Sequence, residues 1–383
     1  MFSFEFATSN RILFGAGKLN ELDRLIEGNP NRLLLVCSNS SEALPRVRAI
    51  LSSLDVSVSE FQVHDEPTID VVRAGMEAAR NCDLVIGLGG GSVLDTGKAI
   101  AALVKNPGDI TDYLEVVGRG QPLVNAPLPY IAIPTTAGTG SEVPRNAVIE
   151  AADQNVKVSL RSLLMLPRVA LIDPELTYDL PPEITAASGL DALTQCIEPF
   201  VSIKANPMTD AICREGIYSA ARSLRRAYED PSDQEARQGL SLAALFGGLA
   251  LANAGLGAVH GFAGPLGGML HAPHGAICAR LLPFVMEANL RALETRQPGH
   301  PAIKRYQEIA RILTGDNSAT AQEGLKWTSQ VVDDLDIPRL SRYGMSKEQF
   351  PDVVEKTLKA SSFKGNPIPL HAAELTEILE KAL

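Results

Sequence analysis

Four apolar runs alternate with three amphipathic stretches in the first third of the chain. The runs are "RLLLVCS" (32–38), "VSVSEFQV" (56–63), "CDLVIGLG" (82–89) and "LPYIAIP" (128–134). Between them lie "SEALPRVRAILSSL" (41–54), "TIDVVRAGMEAARN" (68–81) and "SVLDTGKAIAALVKN" (92–106), each with helical spacing of apolar residues. Strands joined by helical crossovers pair in parallel, and strands apolar on both sides need cover on both faces. "AVIE" (147–150) and "VKVSL" (156–160), joined by a polar turn, predict a hairpin, and "VALIDPELTYDLPPE" (169–183) closes this part. From Ile184 onward no strand pattern appears, only Ala/Leu-rich helices broken by polar segments such as "PSDQEARQ" (231–238) and "TGDNSATAQEG" (314–324). The expectation is an α/β domain over 1–178 followed by an all-α domain over 179–383. Two domains also suit 383 residues, more than one core usually serves.

Composition narrows the partners. A net charge of −10 argues against nucleic acid and anionic membrane, which attract basic patches. The five cysteines (37, 82, 196, 213 and 278) are widely spaced and contain no C-x-x-C pair, so neither a disulfide framework nor a zinc ribbon is expected. The N-terminal "MFSFEFATSNRILFGAG" lacks a basic segment followed by an apolar run, which argues against a signal peptide. A reducing, cytoplasmic setting is expected. "LSLAALFGGLALANAGLGAV" (240–259) approaches membrane-spanning length, yet its glycines and alanines suit a tightly packed buried helix better.

Two loops stand at predicted strand ends. In "DLVIGLGGGSVLDTGKAIA" an apolar strand meets four glycines in five residues, and Ser92 opens a helix. Glycines let backbone N–H groups approach phosphate oxygens, and a helix N-terminus favours negative charge. The spacing is neither G-x-G-x-x-G nor the Walker type, so a plain tight turn stays open. "IPTTAGTGSEVPRN" (133–146) masses the hydroxyls of Thr135, Thr136, Thr139 and Ser141 around glycines. Two such loops at parallel strand ends make a dinucleotide crevice. Arg145 either recognises an acidic substrate or pairs at the surface with Glu142.

"GGGSVLDTGKA", "PTTAGTGSEV", "GLDALT" and "PHG", in this order and spacing, resemble the iron-containing (group III) alcohol dehydrogenase family. The resemblance runs from "RILFGAG" to "FKGNPIPL". It implies an α/β N-terminal Rossmann-like dinucleotide-binding domain followed by an all-α C-terminal domain, a dehydroquinate synthase-like architecture. NAD or NADP and a divalent metal (Fe2+ or Zn2+) would meet between them. By the resemblance, Gly89, Gly90, Gly91 and Ser92 hold the pyrophosphate, with Asp95 and Lys98 fixing the first helical turn. Thr135, Thr136 and Thr139 line the nicotinamide side, and Asn146 and Lys157 fall at further cofactor contacts. The family's asparagine before "PT" is Glu66 here. Where the family often has an acidic residue for the adenosine ribose, this chain has Ser38 and Asn39.

The metal ligands are likewise implied by the family: Asp191 and Gln195 from "ITAASGLDALTQCIEPF", with His260 and His274 from "HGFAGPLGGMLHAPHG" (260–275). Asp191 and Gln195 are four residues apart and share a helix face. Taken singly, Asp191 and His260 also fit core side chains satisfied by backbone, and His274 fits a helix-start residue. Gln195 replaces a family histidine, and an amide is a weaker donor than imidazole to iron or zinc. Gly264 stands where many relatives carry another histidine, which leaves His271 as the nearby imidazole to titrate. The expected activity is hydride transfer between a small alcohol and its aldehyde or ketone by a homodimer or higher homo-oligomer. Two readings compete: a maleylacetate reductase-like or polyol/hydroxy-acid dehydrogenase on the same scaffold, and a nucleotide-binding protein with a degraded metal site.

Overall fold

The computed structural model describes residues 3–38, 43–154 and 156–383. They divide into two compact units. One comprises 7–136 and 140–179, the other 180–383 with the short segments 3–6 and 137–139.

The first unit holds one parallel sheet of six described strands, four of which the apolar runs form. These are β1 (Arg11–Phe14), β2 (Arg32–Cys37), β3 (Ser57–Gln62), β4 (Leu84–Gly89), β5 (Tyr130–Pro134) and β8 (Val169–Ile172), in spatial order β1-β8-β5-β4-β2-β3. Helices α1 (Leu22–Leu25), α2 (Leu44–Ser52), α3 (Ile69–Ala79) and α4 (Gly91–Leu103) lie between them in sequence. The period of two sends successive residues to opposite faces, each with its own core. Leu34, Val36, Val85, Tyr130 and Ala132 join the cluster containing Ile100 of α4, whereas Leu33, Leu35, Ile86, Ile131 and Ile133 join the one containing Val47 of α2. Strand order reverses between β2 and β4, so the loops leaving their C-terminal ends flank a switch point, where open α/β sheets bind ligands. β6 (Asn146–Ala151) and β7 (Val156–Arg161) form the expected antiparallel hairpin. The sequence pattern missed β1, four half-exposed or exposed residues at the sheet edge.

The second unit is helical: α5 (Pro182–Val201), α6 (Pro207–Glu229), α7 (Gln234–Ala254), α8 (Ala258–Leu270), α9 (His274–Arg296), α10 (Pro301–Thr314), α11 (Ala321–Asp334), α12 (Phe350–Lys359) and α13 (Ala372–Ala382). Its centre is α5, buried continuously from Gly189 to Val201. Among the described residues, no single helix is long and apolar enough to cross a membrane; α7 and α8 pass that test only together, and they are bent by 101° at their junction.

Candidate nucleotide loops and metal centre

β4 ends at Gly89, paired in register with Pro134 of β5, so the two loops leave adjacent strand ends. Gly90 caps α4 without a side chain, in extended backbone (φ −75°, ψ −172°), and no acidic residue lies in the helix's first turn. The N-terminal N–H groups of α4, at Gly91 and Ser92, therefore face no competing carboxylate on their own turn. Packing explains the neighbouring glycine but not Gly90. A Cβ on Gly89 would lie 2.6 Å from the Val93 side chain, whereas one on Gly90 would meet only Thr136, at 3.4 Å.

Thr135 is 8% exposed, and Thr136 and Thr139 are half-buried. Ser38 follows β2 directly; Asn39 lies outside the described residues. Asp95 and Lys98 do more than hold one helical turn. Asp95 accepts hydrogen bonds from the Ser141 hydroxyl and, at 2.9 Å, from the Val148 N–H. Lys98, 1% exposed, donates to the Ser141 and Asn146 carbonyls at 2.7 and 2.8 Å. The pair straps α4 to the Thr/Gly loop and the start of β6, which places Asn146. Glu142 is buried beside them, away from the surface. Desolvation raises its pKa to about 7, against the opposing charge of Lys98. Lys157 of β7 pairs with Glu66 at 2.8 Å, so the residue that departs from the family pattern engages another expected cofactor contact.

The second unit gathers the expected metal residues. Ligand atoms of Asp191, His260, His274 and Cys278 all lie within 4.8 Å of one another. Asp191 comes from the middle of α5, His260 from the first turn of α8, and His274 and Cys278 from successive turns of α9. The approach of α9 to α5 depends on Gly275, where a Cβ would stand 2.6 Å from the Ala187 carbonyl oxygen. His260 Nε2 is 3.3 Å and His274 Nε2 3.9 Å from Asp191 Oδ1. That oxygen, on a residue 1% exposed, has no hydrogen-bond partner.

Gln195, also expected as a ligand, donates from Nε2 to Asp191 Oδ2 at 2.9 Å. Its Oε1 is buried without a hydrogen bond, 3.3 Å from where a Cβ on Gly247 of α7 would stand. His271 is exposed, in the left-handed conformation (φ 49°) that ends α8, and is not one of the clustered donors. At Gly264 a Cβ would meet nothing within 4 Å, so the position of the family's extra histidine is open.

Two residues of this centre escaped the sequence reading. Cys278 is one. Glu198 is the other: its Oε1 accepts from the Val259 N–H and its Oε2 faces His260 Nδ1, both at 2.7 Å. Burial opposes charge on Asp191, yet the imidazoles of His260 and His274 hold its carboxyl below the usual range. Burial likewise opposes charge on His260, but Cys278, Asp191 and Glu198 raise its pKa above the ordinary value. Desolvation pushes the Cys278 thiol up to about 12. The sum is a buried pocket that favours positive charge. Two imidazole nitrogens, a carboxylate oxygen without a hydrogen bond and a sulfur fit a divalent transition metal.

Residues 9–174 match the family described as "Iron-containing alcohol dehydrogenase", and residues 185–383 match "Fe-containing alcohol dehydrogenase family, C-terminal". Alcohol dehydrogenase 4 of Saccharomyces cerevisiae is 36% identical over 377 residues, 96% of each chain. A solved 1,3-propanediol oxidoreductase superposes with a TM-score of 0.92 at 31% identity, covering 100% of both chains. The sulfoacetaldehyde reductase of Bifidobacterium kashiwanohense, solved in complex with NAD+, gives a TM-score of 0.87 at 28% identity over 100% of this chain and 99% of that one. With matches spanning both units, the chain belongs to the iron-containing alcohol dehydrogenase family and is a metal-dependent alcohol oxidoreductase.

Proposed function

We propose that this enzyme interconverts a small alcohol and its aldehyde or ketone, using NAD or NADP and a divalent metal held by Asp191, His260 and His274. The observation that carries the reading is the Asp191 oxygen, buried without a hydrogen bond 3.3 Å from one imidazole nitrogen and 3.9 Å from another. A buried carboxylate oxygen facing two imidazole nitrogens is stabilised by a positive charge placed among them, which a divalent ion supplies. When bound, the metal supplies Lewis acidity toward the substrate oxygen, and the nicotinamide takes or gives the hydride.

The chain's own residues have separable tasks. Gly90, Gly91 and Ser92 offer backbone N–H groups to the pyrophosphate, with Gly89 packing the turn beneath them. Thr135, Thr136 and Thr139 border the nicotinamide side. Asp95 and Lys98 act as positioning residues that tie this loop to α4, while Asn146 and Lys157 serve at the cofactor's periphery. Glu198 keeps His260 turned with Nε2 toward the ion. His271, the imidazole of residues 260–275 outside the donor cluster, carries proton traffic with solvent. Ser38 presents no negative charge to a 2′-phosphate, which supports use of NADP beside NAD. We place the enzyme in the cytoplasm as a homodimer or higher homo-oligomer.

The test is metal analysis of protein purified without chelator, followed by a panel of small aldehydes with both cofactors. One metal per chain and turnover that chelator abolishes and metal restores are expected. Full turnover in metal-free protein would overturn the reading. His271→Ala should keep the metal and alter the pH profile of turnover; loss of metal would remove it from that role.

A further inference from the structure

The family resemblance left Gln195 as the fourth donor, and the structure offers a different atom. Cys278 follows His274 by one turn of α9, so the two side chains share a face. Its Sγ lies 3.5 Å from His274 Nε2 and 3.8 Å from His260 Nε2. Around one tetrahedral zinc, bond lengths of about 2.3 Å to sulfur and about 2.05 Å to nitrogen put those atoms about 3.6 Å apart. The 3.3 Å between His260 Nε2 and Asp191 Oδ1 is the matching nitrogen-to-oxygen separation. With His274 Nε2 3.9 Å from the same oxygen, the four donor atoms converge on a space of the size one ion fills.

Gln195 is oriented for another task. Its N–H group meets Asp191 Oδ2 at 2.9 Å, and its carbonyl oxygen is turned toward α7. To coordinate the ion that Asp191 holds, the amide would have to turn over. It would then lose this hydrogen bond and set its oxygen against a carboxylate. As placed, it fixes one Asp191 oxygen and leaves the other aimed at the imidazoles.

We propose that Cys278 supplies the fourth protein donor as a thiolate, and that Gln195 is a positioning residue acting through Asp191. This rests on the metal reading above and deepens it. Charge supports it: one carboxylate and one thiolate with two neutral imidazoles balance a divalent cation, whereas the amide leaves the site one charge short. A coordinating thiol gives up its proton to solvent as the metal binds, so affinity rises with pH. Sulfur also shifts the preference from iron toward zinc, a softer partner for thiolate.

The experiment uses the full-length enzyme, stripped with chelator and refilled with cobalt(II). One equivalent of cobalt with a near-ultraviolet sulfur-to-cobalt charge-transfer band is expected. Cys278→Ser and Cys278→Ala should lose the band, and zinc affinity should fall by more than the roughly 100-fold that removing an outer hydrogen-bond partner costs. Gln195→Ala should keep the band with a fall of about 10–100-fold. Stoichiometric cobalt without the band in the wild-type protein would overturn the role of Cys278 and leave the metal reading standing. Failure of the wild-type protein to bind cobalt or zinc at one per chain would overturn both. The wild-type spectrum decides even where a Cys278 variant fails to fold.

Discussion

Glu198 Oε2 lies 2.7 Å from His260 Nδ1, and both side chains are buried, at 5% and 6% exposure. A carboxylate at Nδ1 selects the tautomer with its proton there, which leaves the Nε2 lone pair for the metal. Glu198 also caps the first turn of α8 through the Val259 N–H, so one side chain sets the height and rotation of His260. Glu198→Gln should keep the fold and weaken metal binding about 10–100-fold. Metal titration of the folded variant checks this, and unchanged affinity would show that His260 is oriented by packing alone.

The contrast between Gly89 and Gly90 yields a second test. Protein atoms forbid a Cβ at the first and admit one at the second, at ordinary contact with Thr136. Gly90 is thus free of any packing demand, and close approach of a ligand is the remaining physical reason for it. Gly90→Ala should fold normally and bind NADH about tenfold more weakly, while Gly90→Val should lose on the order of a hundredfold or more, about 2.7 kcal/mol. Wild-type NADH affinity in a folded Gly90→Val protein would move the pyrophosphate elsewhere.

The strands and helices around these sites were legible because period-two and period-3.6 patterns survive in a single sequence. β1 was not, because four residues at a sheet edge are too few to show a period. The metal centre was legible only as far as the family motifs reach. Glu198 follows Asp191 and Gln195 at the next position of the same helical stripe, and two carboxyls and an amide on one stripe of a buried helix whose other inner residues are small or apolar were a usable signal. Cys278 stood four residues after His274 and passed for a small apolar side chain, as most buried cysteines do. The orientation of the Gln195 amide had no sequence signal, since the arrangement of three helices decides it.

Glu142 makes a prediction in pH. Its folded pKa of about 7 exceeds the ordinary 4.5, because desolvation outweighs the attraction of Lys98. The fold therefore prefers the protonated acid. Its stabilising contribution is complete below pH 4.5 and is lost as pH rises through 7. The shift corresponds to about 3 kcal/mol. Glu142→Gln, neutral throughout, should match the wild type at pH 4.5 and exceed it above pH 7. Urea unfolding across that range measures the difference, and parallel stability curves would remove Glu142 as the cause.

The last prediction concerns how α9 is held against α5. Gly275 sits beside His274, and a Cβ there would come within 2.6 Å of the Ala187 carbonyl oxygen, a backbone atom that cannot swing aside. Gly275→Ala must therefore push the first turn of α9 away from α5. That turn carries His274, and the next carries Cys278, while Asp191 stays on α5. Overpacking of this kind costs about 1–3 kcal/mol. The displacement should also weaken metal binding by at least about tenfold, 1.4 kcal/mol. Gly264→Ala is the control: it lies on α8, its Cβ would meet nothing within 4 Å, and it should leave metal affinity unchanged. Thermal melting and metal titration of both variants separate stability from alignment. If Gly275→Ala lost stability yet bound metal like the wild type, the close approach at Gly275 would serve packing and not the metal centre.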